Sequence, residues 1–416
     1  MTAGDLFDMT DDTALDDELP LAGVTVLDVS SFIAAPAAAV VLGDFGADVI
    51  KVEPPGTGDP HRNSWQNPNY PRTDVNFVWQ LDGRNKRSVA LDLKHPDGRA
   101  AFDRLVARAD VMIVNFPLPV RDRLRLRFED VAAVNPCLVY ASLTGYGESG
   151  PDRDMPGFDV NAYFGRAGIL DAQRYEDGPP GFSLPAQGDR CAAMTIVSAI
   201  LLGLRRRDRT GKGGWVGTSL YANGVWSNGT LAQAALVGGF ITPRPPRERP
   251  RNALANIYRT RDDRWVQLTL VREDKGWDRL CRALGRPDLA TDTRFATREA
   301  RRTHSVALAA ILDDAFARHD WPHWRQVLRA HEVTFGVIER LQDLPDDPQA
   351  YHAGIIAETK SPDVPRTINN PVRLGFARPR EAGAPPSVGE HTAQVLREAG
   401  LSDGEIATLR SRGATN

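Results

Sequence analysis

The sequence is poor in cysteine and has no strong charge of one sign. Its 416 residues include only three cysteines, Cys137, Cys191 and Cys281, whose spacing matches neither a metal-binding motif nor a disulfide framework. We therefore expect no metal site, and a reducing compartment such as the cytoplasm. The formal net charge is −3, and no segment carries a strong basic excess, so nucleic acid is not expected as a partner.

Long hydrophobic runs are also missing. The longest, residues 192–204, is too short to cross a bilayer, so no membrane partner is expected. Residues 1–20 contain seven acidic residues and no basic one, whereas a secretory signal needs a positive start and an apolar run. We expect residues 1–19 to form a disordered acidic tail.

Short strand and helix patterns alternate along the next 130 residues. The segment GVTVLDVSS (23–31) predicts a buried strand, and residues 36–46 predict a helix that begins with proline and ends with glycine. Further strands are predicted at 47–56, 88–94, 110–116 and 137–147, with a helix at 96–109. This alternation predicts an α/β fold with a Rossmann-like, doubly wound large domain.

A nicotinamide site is not expected in this domain. The first strand-to-helix turn, DVSSFIAAPAAA (28–39), has no G-x-G-x-x-G motif, so a pyrophosphate cannot approach the backbone in the usual way. Ligands should still bind at the carboxyl ends of the parallel strands. Those ends carry residues 30–36, 53–59, 115–123 and 144–150.

The pattern changes in the second half of the chain. Residues 236–252 are rich in proline and arginine and predict a linker or loop. Residues 255–270 predict a β-hairpin around RDDR, and residues 275–331 a helical stretch. Two short helices are predicted within 385–413.

Two aspartates stand near the starts of predicted helices. Asp189 follows a glycine and opens a long apolar stretch, and Asp159 lies in PGFDVNAYFGRAGIL (156–170). A helix N-terminus favours a carboxylate through its free N–H groups and its dipole, so each is interpreted first as a helix cap. The same placement keeps a carboxylate ionised in a partly dry cleft, where it serves as a nucleophile or base.

Eight segments in this order resemble the class III CoA-transferase family, which includes formyl-CoA transferase, carnitine CoA-transferase and α-methylacyl-CoA racemase. The match covers nearly the whole chain after residue 20. Its segments are residues 21–62, GRNKRSVALDLKHPDGR (83–99), ADVMIVNFPLPVRDRL (109–124), NPCLVYASLTGYGESGP (135–151), 156–170, PAQGDR (185–190), RTGKGGWVGTSLY (209–221) and GEHTAQVLREAGL (389–401).

The resemblance implies an interlocked homodimer. Each subunit would have a large CoA-binding domain from residues 20–225 and 341–416, and a smaller α+β domain with linkers from 226–340. Its partners would be an acyl-CoA and a free carboxylic acid, with coenzyme A as co-substrate. The acyl group would lie at the interface with the other subunit's small domain.

The resemblance also implies a catalytic role for Asp189. In the transferases the aspartate of the "GD" motif attacks the acyl-CoA thioester, giving a mixed anhydride and then an aspartyl–CoA thioester. The racemases use the equivalent aspartate together with the histidine of a "GHD" motif to move protons. Phe158 stands at that histidine position, which favours transfer, while Asp159 beside it keeps base catalysis as an alternative.

Most of the family's CoA-contact positions have matching residues in this sequence, and two positions differ. The positions that match are Ala34, Leu91, Lys94, Asn115, Phe116, Val120 and Arg123. Pro54 replaces an arginine of formyl-CoA transferase. Ile33 replaces a glutamine that contacts the substrate side in that enzyme, which argues against oxalate as substrate. Arg62, Lys86 or Arg87 would then supply the charge for the CoA phosphates. A CoA-binding paralogue without activity is a third hypothesis.

Overall fold

The computed structural model describes residues 18–270 and 272–416, so most of the predicted acidic tail, residues 1–17, lies outside the described part. The chain forms two compact units. The first comprises the described residues up to Leu170, Phe182–Phe240 and Tyr351–Asn416. The second comprises Asp171–Gly181 and Ile241–Ala350.

A six-stranded parallel sheet forms the centre of the first unit. Its strands pair in the order β3-β2-β1-β4-β5-β6, which is the order of doubly wound nucleotide-binding sheets. The strands are β1 (Thr25–Val29), β2 (Asp48–Glu53), β3 (Lys86–Ala90), β4 (Val111–Val114), β5 (Val139–Thr144) and β6 (Gly214–Ser219). The parallel α/β fold is thus confirmed. Strand β6 was not predicted, because Gly214 and Gly217 interrupt its apolar pattern.

Both units contain α-helices, which lie between and after the strands along the chain. They are α1 (Ala34–Asp44), α2 (Phe77–Gly83), α3 (Pro96–Val106), α4 (Leu118–Leu124), α5 (Phe128–Ala132), α6 (Ile169–Ala172), α7 (Gln187–Thr210), α8 (Leu220–Ser227), α9 (Gly229–Leu236), α10 (Glu273–Ala283), α11 (Asp288–Thr291), α12 (Arg298–Thr303), α13 (Ser305–Phe316), α14 (Trp321–Ala330), α15 (Pro348–His352), α16 (Thr392–Glu398) and α17 (Asp403–Ser411). A π-helix spans Asp159–Gly165, and short 3₁₀ segments span Pro60–Gln66, Ala253–Ala255 and Leu341–Asp346.

The sheet has an apolar core on each face. On one face α1 and α7 pack together, and every residue of α1 is buried. On the other face α3 packs with α16 and α17, the two predicted C-terminal helices. Two backbone hydrogen bonds hold this last segment to the sheet: His391 donates to Ser88 and Asp92 donates to Ala414, both at 2.9 Å. The C-terminal residues therefore complete the first unit.

The second unit has its own small sheet and helical core. The predicted hairpin is present as β7 (Ile257–Arg259) and β8 (Trp265–Leu268), and β9 (Phe335–Ile338), which was not predicted, pairs with β8. Helices α10 to α14 occupy the predicted helical stretch. In the first unit a two-stranded ribbon joins β10 (Ile356–Glu358) to β11 (Arg366–Ile368). Across residues 18–270 and 272–416, we find no helix with the length and apolarity to span a membrane.

Candidate active site

The loops after β1 and β4 meet where the strand order reverses. The Asn115 amide accepts a hydrogen bond from the Ser31 N–H at 2.9 Å and donates one to the Ser31 carbonyl at 2.7 Å. These two strands are neighbours in the sheet but their helices lie on opposite faces, so a crevice opens between the loops. Two cavities border this point, and both are lined by Ser31 and Phe116.

The first cavity, of about 570 Å³, collects most of the predicted CoA contacts. Five of the predicted residues line it: Leu91, Lys94, Phe116, Val120 and Arg123. Among the described residues that line it, Lys94 and Arg123 are the basic ones, and both are exposed. Pro54 lines it as well, with Glu53 and Thr57. Ala34 and Asn115 line the second cavity instead, together with Phe116.

The three cations expected to replace the missing arginine are already paired within the protein. Arg62 makes a bidentate pair with Glu53, at 2.6 and 2.9 Å. Lys86 is buried and donates to Asp28 at 2.8 Å. Arg87 pairs with Asp48 and with Glu398. Arg62 does not line the first cavity itself; its charge is balanced by Glu53, which does.

A buried ion pair supports the loop after β1. Lys51 Nζ lies 2.8 Å from Asp59 Oδ2 and donates to the Ser30 carbonyl at 2.5 Å. The other oxygen of Asp59 accepts from the Phe32 N–H at 3.1 Å. Phe32 has φ = 63°, a left-handed conformation that costs about 1 kcal/mol or more for a residue with a side chain. The pair thus stabilises a strained turn at the edge of both cavities.

The second cavity, of about 480 Å³, holds both candidate aspartates. Asp189 and Asp159 line it, together with residues after β1, β4 and β5. Asp189 is in the first turn of α7, and Asp159 begins the π-helix. Such π-helical segments are frequent at functional sites. The fold therefore brings the two residues into one cavity, although 29 residues separate them in the chain.

The helix-cap interpretation was wrong for Asp189. Helix α7 begins after Ala186, which has φ = 62° and makes no side-chain capping bond. Asp159 provides the cap from another segment, because its Oδ1 accepts a hydrogen bond from the Gly188 N–H at 2.9 Å. Asp159 was expected to cap its own helix, but there Asn161 accepts from the Phe158 N–H. No hydrogen bond in the described part of the chain engages the Asp189 carboxylate.

Gly188 has a steric reason for being glycine. A Cβ at this position would overlap both the Asp159 carboxylate and the Tyr163 ring. The missing side chain lets Asp159 reach the backbone N–H of α7. The glycine of the "GD" pair therefore positions the carboxylate beside Asp189.

An ion pair between a partly exposed arginine and a buried aspartate anchors the residue after Asp189. Arg190 makes a bidentate pair with Asp82 on α2, with Nη2 to Oδ2 at 2.9 Å, and Asp82 is buried. His61 Nε2 lies 3.1 Å from the same Oδ2. Burial alone would raise the pKa of Asp82, but Arg190 and His61 together lower it to about 2. This pair fixes the first turn of α7 against α2.

Both aspartates titrate near neutral pH. Burial raises the pKa of Asp189 to about 7, and the charge of Asp159 also raises it while Arg190 lowers it. Burial likewise raises the pKa of Asp159 to about 6, although the backbone N–H groups at the start of α7, Gly188 first, act against the rise. Burial and then the charge of Asp189 raise the pKa of Tyr70, which lines the same cavity. Tyr70 therefore stays a neutral hydroxyl near Asp189.

The phenyl ring of Phe158 closes one side of the second cavity. Its centroid lies 6.1 Å from that of Phe32, edge to face, and it is half exposed. A phenyl ring carries no proton to transfer, so the histidine position of the racemases has no acid or base here. Sequence patterns do not identify Arg190, Asp82 or Tyr70 as site residues, because their roles depend on packing between distant segments.

A family model described as CoA-transferase family III matches residues 21–392. The chain belongs to this family. It is 30% identical to (R)-2-hydroxy-4-methylpentanoate CoA-transferase of Clostridioides difficile, over 94% of this chain and 98% of that protein. It is 31% identical to succinyl-CoA:glutarate CoA-transferase of Mus musculus, over 91% of this chain and 86% of that protein.

A solved structure supports the same assignment. A CaiB/BaiF family protein from Brucella suis is 30% identical and superposes with a TM-score of 0.81, covering 92% of this chain and all of that one. The prediction of a CoA-transferase that uses coenzyme A as co-substrate is thus confirmed. This CoA-transferase contains, among its described residues, no group of three His, Cys, Asp or Glu side chains that would hold a metal ion.

Proposed function

We propose that this enzyme moves CoA from an acyl-CoA thioester to a free carboxylic acid, with Asp189 as the nucleophile. The observation that carries the proposal is the Asp189 carboxylate, which has a pKa of about 7 and lies in a cavity that shares Ser31 and Phe116 with the CoA cavity. A carboxylate with a raised pKa is more basic and therefore more nucleophilic when ionised.

The reaction has two halves. Asp189 attacks the thioester carbonyl, forming an aspartyl–acyl anhydride and releasing the CoA thiolate. The thiolate attacks the aspartyl carbonyl, which gives an aspartyl–CoA thioester and the free donor acid. The acceptor carboxylate then attacks this thioester, and the released thiolate takes the new acyl group from the second anhydride. A serine or cysteine nucleophile would pass on only the acyl group, so the exchange of CoA requires a carboxylate.

The first cavity is the proposed CoA site. Lys94 and Arg123 would bind phosphate oxygens as charge-assisted donors, while Leu91, Phe116 and Val120 would pack against the apolar arm of CoA. Phe116 lines both cavities, so a thioester at this point would face Asp189.

We also propose the interlocked homodimer, with large-domain residues 20–225 and 341–416 and small-domain residues 226–340. Support comes from exposed apolar side chains in α8, α9 and the residues that follow them, since Trp226, Leu236 and Phe240 are each more than 80% exposed. A monomer rarely leaves such large apolar side chains in water together. Light scattering should give twice the chain mass, and a monomer would contradict the dimer.

We also propose a cytoplasmic location, on the cysteine usage described above.

A second candidate activity is acyl-CoA racemisation or isomerisation. One observation favours it: Asp159 and Asp189 share one cavity and both titrate near neutral pH, as a pair of proton carriers requires. Two observations count against it. Asp159 Oδ1 accepts a hydrogen bond from the Gly188 N–H, and Phe158 stands at the position of the racemases' histidine.

One experiment separates the two reactions. The enzyme is incubated in heavy water with mixed acyl-CoA thioesters and free acids, and the products are read by mass spectrometry. New thioesters without deuterium at the α-carbon support transfer. Deuterium at the α-carbon with no new thioester supports proton abstraction, and tight CoA binding without any turnover supports the inactive paralogue.

A further inference from the structure

We propose that Arg121 is a positioning residue for CoA transfer, which holds the loop after β4 against the loop after β5. This inference rests on the transfer proposed above and adds a residue to its machinery. The loop after β4 carries Asn115 and Phe116, two of the CoA contacts that the family resemblance implies. The guanidinium of Arg121 ties this loop to its neighbour.

Arg121 is an arginine that the fold turns inward. It lies in α4 between Val120 and Arg123, which line the first cavity, yet its own side chain is fully buried while Arg123 and Arg125 are exposed. A guanidinium taken out of water is costly unless its donors are paired with well-placed acceptors. Arg121 is therefore not part of a solvated surface, and its partners indicate its role.

The donors of Arg121 reach acceptors on two different loops. Nε donates to the Phe116 carbonyl at 2.6 Å. Nη1 donates to Ser142 Oγ at 2.7 Å and to Glu148 Oε1 at 2.8 Å, and Nη2 donates to the Leu143 carbonyl at 3.3 Å. Ser142 itself donates to Glu148. The guanidinium therefore bridges the loop after β4 to the end of β5 and the loop that follows it.

These two loops meet where the proposed reaction takes place. Phe116 lines both cavities, and Leu143 lines the cavity that contains Asp189. Asn115, next to Phe116, exchanges hydrogen bonds with Ser31 in the loop after β1. All of these contacts lie within the first unit of one chain, so they do not depend on residues from a second subunit.

Arg121 acts through these loops and not by contact with CoA. It lines neither cavity, and its charge is paired with Glu148. An arginine suits this position because its planar fork donates in several directions at once, whereas a lysine is a point charge on a flexible stem. An apolar side chain would leave the Phe116 carbonyl and the Glu148 carboxylate without this donor, and the loop after β4 would then be free to move.

The test compares two buried arginines in the full-length enzyme. Arg121→Met removes the guanidinium, and Arg84→Met is the matched control. Arg84 pairs with a buried carboxylate, Asp44, through Nη2 at 2.9 Å, but it precedes β3 and so lies at the edge of the sheet opposite the two cavities. We expect both variants to unfold at a lower temperature than the wild type. Well below those temperatures, only Arg121→Met should raise the Kd of free CoA, by at least fivefold, with a similar rise in the KM of the acyl-CoA.

Two further variants keep the test decisive if Arg121→Met does not fold. Glu148→Gln removes the charge partner but keeps an acceptor oxygen, and Arg121→Lys keeps the charge without the fork. We expect each to raise the Kd of CoA at least threefold. Unchanged CoA affinity in the folded variants of Arg121 and Glu148, or an equal loss in Arg84→Met, would overturn the inference while leaving CoA transfer in place. A wild-type enzyme that binds CoA but forms no new thioester from any free acid would instead overturn the proposed function.

Discussion

The Asp159 carboxylate accepts a hydrogen bond of 2.9 Å from the Gly188 N–H, one residue before Asp189. One aspartate therefore satisfies the start of α7 and leaves the other without a helix-capping bond. The two carboxyl groups share a cavity, yet only Asp159 is engaged with backbone N–H groups. Asp159 therefore has a structural role at the start of α7, while the Asp189 carboxylate is left available for the reaction.

Replacing Gly188 with alanine should impair both the fold and the reaction. The new Cβ overlaps the Asp159 carboxylate and the Tyr163 ring, so the hydrogen bond must break or the start of α7 must move. We expect a loss of about 1–3 kcal/mol in the free energy of unfolding and at least a tenfold loss in kcat. Gly404→Ala is the matched control, because Gly404 is also the second residue of a helix and its Cβ would meet no atom. Equal behaviour of the two variants would refute the steric argument.

The rate should depend on the ionisation of Asp189. A nucleophilic carboxylate must be deprotonated, so kcat/KM should rise with pH through about 7, the pKa of Asp189. Asp159→Asn removes the negative charge that raises this pKa while keeping an oxygen to accept from Gly188. The rising limb of the profile should then move to lower pH. A limb that stays in place would show that Asp159 does not influence the group that titrates.

Asp189 should also destabilise the fold at neutral and alkaline pH. Its pKa is raised from 3.8 when unfolded to about 7 when folded, so the unfolded chain loses this proton first. The free energy of unfolding therefore falls as pH rises from about 4 to about 7. At pH 8 the free energy of unfolding of Asp189→Asn should exceed that of the wild type by on the order of 1–2 kcal/mol after solvent screening, so the variant should unfold at a higher temperature. The difference should disappear near pH 4, and a less stable variant at pH 8 would contradict this assignment.

Breaking the Arg190–Asp82 pair should cost stability and shift the pH profile. Asp82→Asn leaves a partly buried guanidinium without its charge partner, which costs on the order of 2 kcal/mol. Arg190 is then free to interact with Asp189 and to lower its pKa, so the rising limb should move to lower pH. Asp154→Asn, which breaks the exposed Arg153–Asp154 pair, should change stability by less than about 0.5 kcal/mol. Thermal unfolding and rate profiles of both variants check the comparison.

Local sequence patterns were sufficient for much of the large sheet. The apolar strands β1, β2 and β4 and most of α1 follow from residues that are neighbours in the chain, although α1 begins at Ala34, two residues before the predicted proline start. Patterns alone did not identify the site. The cap of α7 was assigned to Asp189, whereas the capping carboxylate is that of Asp159, 29 residues before Gly188, whose N–H it accepts from. Likewise Arg190 pairs with Asp82, which lies 108 residues earlier in the chain. Helix packing brings such partners together, and no local sequence pattern predicts it.

In the proposed mechanism, Asp189 carries CoA covalently. The most direct test mixes the enzyme with an acyl-CoA and no acceptor acid, quenches in acid, and measures the intact protein and its peptides by mass spectrometry. We predict an adduct of CoA less one water on the peptide that contains Asp189, and none on Asp189→Ala, which should still bind CoA. A CoA adduct on another residue, or transfer by Asp189→Ala at the wild-type rate, would contradict the mechanism.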